Sequence, residues 1–275
     1  MRRAIPVLVA LLAGCAAPAP AVVPHQGPRI VSLNPCADAI LAEVADPGQI
    51  AAFSPENRDP LARSVSDAVA ARFASTHGSI EEVVALHPDV VIDGAYAAPS
   101  TLAAWRRMGL RLEVMQLDSG VADSLAQVRR IARIAGHPDR GEALVRRIEA
   151  ALSAAAPPAG APPVSAVIRV WEGRVAGSDT LVDDVARRTG FATITARAGY
   201  GQGTVYPLER LLAAPPRAVI AFGTNRALDH PALDSVPQMA RVNLPMTLLY
   251  CGGPTIPRLA ARLAALRAAV TAGGG

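Results

Sequence analysis

Apolar residues at Ile80, Val83 and Val84 share one helical face; a proline at Pro88 follows, then the β-branched run Val90 to Ile92. The spacing predicts a short helix that ends before the proline and leads into a buried strand. The chain repeats this unit 128 positions later, where Leu208, Leu211 and Leu212 precede Pro216 and the run Ala218 to Ile220. Each copy opens with a glutamate, Glu81 and Glu209, so the glutamates fall at equivalent points of two similar units. A single echo at this distance fits duplication of a whole α/β lobe, whereas a solenoid would repeat every 20 to 50 residues.

The flanking pattern fills in both halves. Arg29 to Leu33 predicts a strand stopped by Asn34 and Pro35, with a helix running to Val44. Ile50 to Phe53 reads as a second strand, Leu61 to Phe73 as a helix, about Ser100 to Met108 as another, and Leu110 to Leu117 as a fourth strand. Strands alternating with helices imply a mostly parallel sheet covered on both faces. Val121 to Ala135 is amphipathic, and Gly136, His137 and Pro138 break it. A helix from Asp139 to Ala156 would span roughly 27 Å, enough to bridge two lobes, and PPAGAPP from Pro157 to Pro163 ends it. Beyond it lie a strand at Val164 to Trp171 and a helix at Thr180 to Arg188, capped by Ser178 or Asp179. A glycine-rich loop at Thr189 to Val205, a strand at Met246 to Tyr250 and a closing helix at Arg258 to Val270 complete the pattern. The expected organisation is residues 1–14 as leader, 15–28 as tether, 29–138 and 157–275 as lobes, and 139–156 as the connection.

Composition narrows the function. All 27 basic residues are arginine, which removes P-loop phosphate binding, Schiff-base chemistry and a lysine base. The net charge of +4 is spread along the chain and does not suggest nucleic acid. Arg2 and Arg3 precede a short apolar run, too short to span a bilayer, and then LAGC at Leu12 to Cys15. That segment looks like a bacterial lipobox with Cys15 as the acylated residue; an ordinary secretory signal cut near Ala17 is the alternative, and both mean export. Ala16 to Pro28 would be an extended Ala/Pro tether. In an oxidising compartment the remaining pair, Cys36 and Cys251, most simply forms a disulfide.

Seven of the ten aromatics, Phe53, Tyr96, Trp171, Tyr200, Tyr206, Phe222 and Tyr250, fall at predicted strand ends or in the loops after them. Ligands of open α/β sheets bind beyond those ends, so these rings would line one cleft suited to a large, partly apolar ligand. No GxSxG, HExxH or CxxC motif occurs, and the five histidines are scattered. GYGQG at Gly199 to Gly203 follows no strand and is not a dinucleotide fingerprint.

From Arg29 onward the chain resembles the periplasmic substrate-binding proteins of ABC importers for iron-siderophores, haem and cobalamin. PRIVSLNPCADAIL, SIEEVVALHPDVVI, GLRLEVMQL, DTLVDDVARRTG and PLERLLAAPPRAVIAF carry the resemblance in this order. It implies two α/β lobes joined by one rigid helix, with a ligand cleft between them and only a small opening motion. It implies a monomer that takes a metal chelate, cobalamin or a ferric siderophore, to a permease and its ATPase, without catalysis, cofactor or bound metal of its own. Asn34, Cys36 and Cys251 join the aromatics in the cleft, and Glu81 and Glu209 become charges that dock on the permease. Two departures stand out: a long polar connection from Phe53 to Thr76, and cysteines at strand ends of opposite lobes. A disulfide between them would clamp the lobes; free thiols could touch a metal, although free or structural thiols are favoured over ligands. Few arginine clusters favour cobalamin or a near-neutral siderophore over an anionic catecholate, though Arg58, Arg174, Arg197 and Arg226 lie in loops and could reverse that order. An exported enzyme, or a lipoprotein making only protein contacts, are the other classes this chain could serve.

Overall fold

The computed structural model describes residues 26–170, 173–223, 226–249 and 251–273. Cys15, Trp171 and Tyr250 lie outside the described residues. The first half runs β1 (Ile30–Ser32), α1 (Pro35–Val44), β2 (Ile50–Ala52), α2 (Asp67–Ala70), α3 (Ile80–Ala85), β3 (Val90–Gly94), α4 (Pro99–Arg107) and β4 (Arg111–Met115). Two long helices follow, α5 (Val121–Ala135) and α6 (Pro138–Ala155). The second half contains β5 (Val164–Arg169), α7 (Leu181–Arg188), β6 (Phe191–Thr193), α8 (Ile194–Arg197), α9 (Leu208–Ala213), β7 (Ala218–Phe222), β8 (Ala240–Leu244) and α10 (Ile256–Ala272).

The strands form two parallel four-stranded sheets of the same order, β2-β1-β3-β4 and β6-β5-β7-β8. The repeated units occupy matching places: α3 leads into β3 and α9 into β7, each strand third in sequence within its sheet. Side chains alternate across each strand and sort into separate cores. Ile30, Val90 and Ile92 from the first sheet join Val164, Ala166, Ile168, Ala218 and Ile220 from the second in one cluster that includes α1, α5, α6, α7 and α10. Their neighbours face outward into smaller clusters, Val31 and Val91 with Trp105 on one lobe, Val167 and Val219 with Tyr206 and Leu233 on the other.

Local chemistry sets the boundaries. Asn34 caps α1, its side-chain oxygen accepting from the Cys36 and Ala37 amides at 2.9 and 3.2 Å, and Pro35 supplies the first helical φ. Gly136 closes α5 in the left-handed region at φ 83°, and α6 restarts at Pro138. α6 then bridges the lobes and stops before Pro157.

Four expectations fail for identifiable reasons. Leu61 to Phe73 forms only the one-turn α2, because the chain is drawn out of helix to pair Ser75 with Phe53. Phe53 and Phe73 pack there at a tilt, with ring centroids 4.6 Å apart. Met246 to Leu248 is a 3-10 turn whose apolar residues pack on the central core, and the fourth strand is instead β8. β8 is an edge strand with polar side chains outward, which weakens its apolar signal. The presumed loop from Thr189 contains β6 and α8. Thr180, not Ser178 or Asp179, caps α7.

The two thiols are bonded, not free. Cys36 in the first turn of α1 and Cys251 ahead of α10 form a disulfide with Cα atoms 5.0 Å apart across a separation of 215 residues. The Ser64 hydroxyl donates to Cys251 Sγ at 2.9 Å, so the polar connection covers the bond. Closing so long a loop restricts the unfolded chain strongly. The Cys36→Ser/Cys251→Ser variant should lose about 2–5 kcal/mol, seen as a lower denaturant midpoint, and reduction should reproduce the shift.

Candidate ligand-binding cleft

Loops at the carboxyl ends of both sheets enclose a cavity of about 400 Å³. The first lobe contributes Tyr96, Leu117, Asp118 and Ser119; the second contributes Val170, Ala176, Asp179, Thr180, Leu181, Val182 and Gln202, with Leu249 beside them. A narrow recess of about 50 Å³ continues from Tyr96, Leu117 and Asp118 towards Asn34, Cys36, Gly94 and Gln127. Two large apolar side chains stand open in this cavity: Tyr96 is 79% exposed and Leu117 52%. They stand together here and flank polar residues in a concave site. Another concavity, about 450 Å³, lies along α5, α6 and α7 and is lined by Val121, Leu125, Leu152, Glu149 and Arg188. It holds no strand-end loop and no aromatic ring.

Asp118 is the most constrained polar group of the cleft. Gln127 Nε2 donates to its Oδ1, and Ser124 also bonds it, while the Ser124 hydroxyl oxygen accepts from Gly253 N at 2.6 Å. Burial pushes the Asp118 carboxyl up to about 6, opposed by those hydrogen bonds and aided by nearby Asp123. Gly252 leaves the necessary room, since a Cβ there would run into Ser124 Oγ and Asp118 Oδ2. Asp179 projects from the second lobe at φ 61°, a left-handed conformation that aspartate tolerates better than bulkier residues.

Of the residues expected in the cleft, Tyr96, Asn34 and Cys36 line it. The Asn34 side-chain oxygen is occupied by the α1 cap, and its amide nitrogen abuts Gly94, where a Cβ would come within 2.8 Å. Phe53 and Phe222 are corrections: both are fully buried, Phe53 against Phe73 and Phe222 in the central core. Tyr206 is also buried, and Tyr200 meets it edge-on at 5.3 Å while its hydroxyl accepts from Arg210. These four rings fasten loops onto the sheets. Cys251 is buried behind Cys36 and reaches the cleft only through the disulfide. Arg58 bonds Ser75 O and His77, and Arg174 donates to Gly203 O at 2.7 Å; neither they nor Arg197 line the cavity. Among the described residues no group of three or more His, Cys, Asp or Glu side chains could hold a metal ion.

Glu81 and Glu209 are exposed in the first turns of α3 and α9. The adjacent Glu82 is differently employed: it accepts from the His77 amide at 2.6 Å and the Thr76 hydroxyl at 2.9 Å, which holds its carboxyl below the usual range.

Comparison with known proteins agrees with this layout. A family model described as periplasmic binding protein matches residues 30–234. The chain belongs to this family. Solved binding proteins share the fold: the periplasmic heme-binding protein RhuT of Roseiflexus sp. RS-1 superposes with a TM-score of 0.69 at 23% identity, covering 89% of this chain and 98% of that one. The heme-binding protein HutB of Vibrio cholerae gives 0.72 at 18% identity over 87% and 98%. The vitamin B12-binding protein BtuF of Vibrio cholerae gives 0.69 at 17% identity over 90% and 99%. No curated protein matches. The matched stretch ends before β8, Cys251 and α10.

Leu117, Asp118, Ser119, Asp179, Thr180 and Gln202 line this binding protein's cleft, and the sequence pattern did not single them out. Their available signal was position alone, immediately after β4, before α7 and inside the glycine-rich GYGQG loop.

Behind the disulfide, Asp38 is buried in α1 and accepts from Ser54 N at 3.1 Å and Ser54 Oγ at 2.6 Å. Burial nevertheless lifts its carboxyl from 3.8 to about 7. The folded state therefore keeps a proton that the unfolded chain releases, and stability falls as pH rises from about 4 to about 7. The accumulated loss is on the order of 4 kcal/mol. Asp38→Asn should flatten that slope, which denaturant titrations across this pH window will measure; an unchanged slope would assign it to another group.

Proposed function

We propose that this periplasmic binding protein captures a small metal chelate in the cleft between its lobes and delivers it to the permease and ATPase of an ABC importer, with no catalysis of its own. One observation carries the proposal: two like α/β lobes, tied by one helix, enclose a cavity of about 400 Å³ in which Tyr96 and Leu117 stand uncovered. The size suits a compact ligand with an apolar face. The fold is shared with heme-binding and vitamin B12-binding proteins, which supports the class without choosing a member.

Export to the periplasm follows from the family, and anchoring through an acylated Cys15 is part of the same proposal. Glu81 and Glu209 serve as matched docking charges. In support, both are exposed at the start of equivalent short helices, on lobes of identical strand order.

Calorimetric titration with cobalamin, hemin and a ferric siderophore panel tests the ligand class. At least one should bind, and Tyr96→Ala should weaken it about ten-fold, the loss of one aromatic contact in a desolvated site. If none binds, capture of a chelate is wrong. The double variant Glu81→Arg/Glu209→Arg should bind its ligand normally and abolish uptake in cells; normal uptake would remove both glutamates from docking.

A further inference from the structure

The described residues of the cleft carry charge of one sign. Asp118 comes from the loop after β4 and Asp179 from the segment leading into α7, so each lobe contributes a carboxylate to the same cavity. Asp123 adds a third negative charge at the edge, its Oδ2 accepting from Ser119 N at 3.1 Å. The remaining polar lining, Ser119, Thr180, Gln202 and, in the recess, Asn34, Gln116 and Gln127, is neutral. Asp118 is held at the cleft wall by Gln127 and Ser124, with Gly252 close on its far side. Tyr96 presents an exposed ring on the same wall, and an aromatic face also attracts cations.

We propose that this cleft selects chelates bearing a positively charged group and rejects polyanionic ones, with Asp118 and Asp179 as the residues that set the preference. Charge selection rests on the capture of a chelate argued above and narrows it. A polyanion, including a porphyrin with free carboxylates, would bring like charges into a partly desolvated site beside Asp118, where repulsion is weakly screened. A cationic group would gain both carboxylates as the lobes face each other, and its organic body would cover Tyr96 and Leu117.

A charge series on one scaffold isolates the effect. Ferrioxamine B carries a free ammonium, its N-acetyl derivative is neutral at that position and its N-succinyl derivative is anionic; aquocobalamin, cyanocobalamin and a cyanocobalamin monocarboxylic acid give a parallel corrinoid series. Calorimetry on the purified disulfide-bonded protein should rank whichever scaffold binds in the order cation, neutral, anion, with about five- to ten-fold per step. Asp118→Asn/Asp179→Asn should compress the cation-to-anion affinity ratio several-fold; circular dichroism of the double variant checks its fold. Equal or reversed ranking, or a spread that survives in the double variant, overturns charge selection while chelate capture stands. No binding by any member of either series overturns charge selection, and chelate capture falls with it only if hemin and the siderophore panel also fail to bind.

Discussion

The central apolar cluster is the constraint on which the rest depends. A parallel sheet must cover both faces, and here each lobe covers one face with its own helices and the other with material shared between lobes. The shared layer contains α1, α5, α6, α7 and α10, so the connecting helix α6 is packed among helices of both lobes. Polar contacts follow the same seam. Asp184 of α7 accepts from Val121 N at 2.9 Å at the start of α5, satisfying one of that helix's free amides from across the molecule. Arg187 and Arg188 brace the same carboxylate at 3.2 and 3.1 Å. With the seam fixed, only the loops at the strand ends remain free to shape a cleft.

The lobes and their connection were legible because they obey strong periodicities. Helix-Pro-strand units at Ile80 and Leu208, the break at Gly136 to Pro138 and the closing proline run each follow from one local rule. The cleft was less legible because its walls are loops, where no period constrains the side chains. Aromatics at strand ends were a reasonable signal, yet Phe53, Phe222 and Tyr206 are buried, since a large ring near a loop serves as well to fasten it as to meet a ligand. Leu117 and Asp118 carried no such signal, and their role emerges only when two sheets place their ends together. β8 was missed for the opposite reason: an edge strand needs little apolar sequence when its neighbour supplies the hydrogen bonds.

The arginine-only basic set has a place in this division. Several arginines sit in ion pairs away from the cleft, Arg129 with Glu142 at 2.8 Å, Arg140 with Asp46 at 2.8 Å and Arg147 with Glu43 at 2.8 Å. Exposed pairs of this kind add little stability individually. Their larger effect is on distribution: positive charge is neutralised along α5, α6 and their contacts, while the carboxylates of the cleft meet no such partner among the residues lining it.

The disulfide also bears on biosynthesis. Cys251 is synthesised 215 residues after Cys36. A product that stops between them lacks the disulfide partner of Cys36, whereas a chain that includes both can close the bond. Oxidation at this site is thus a covalent record that translation passed Cys251.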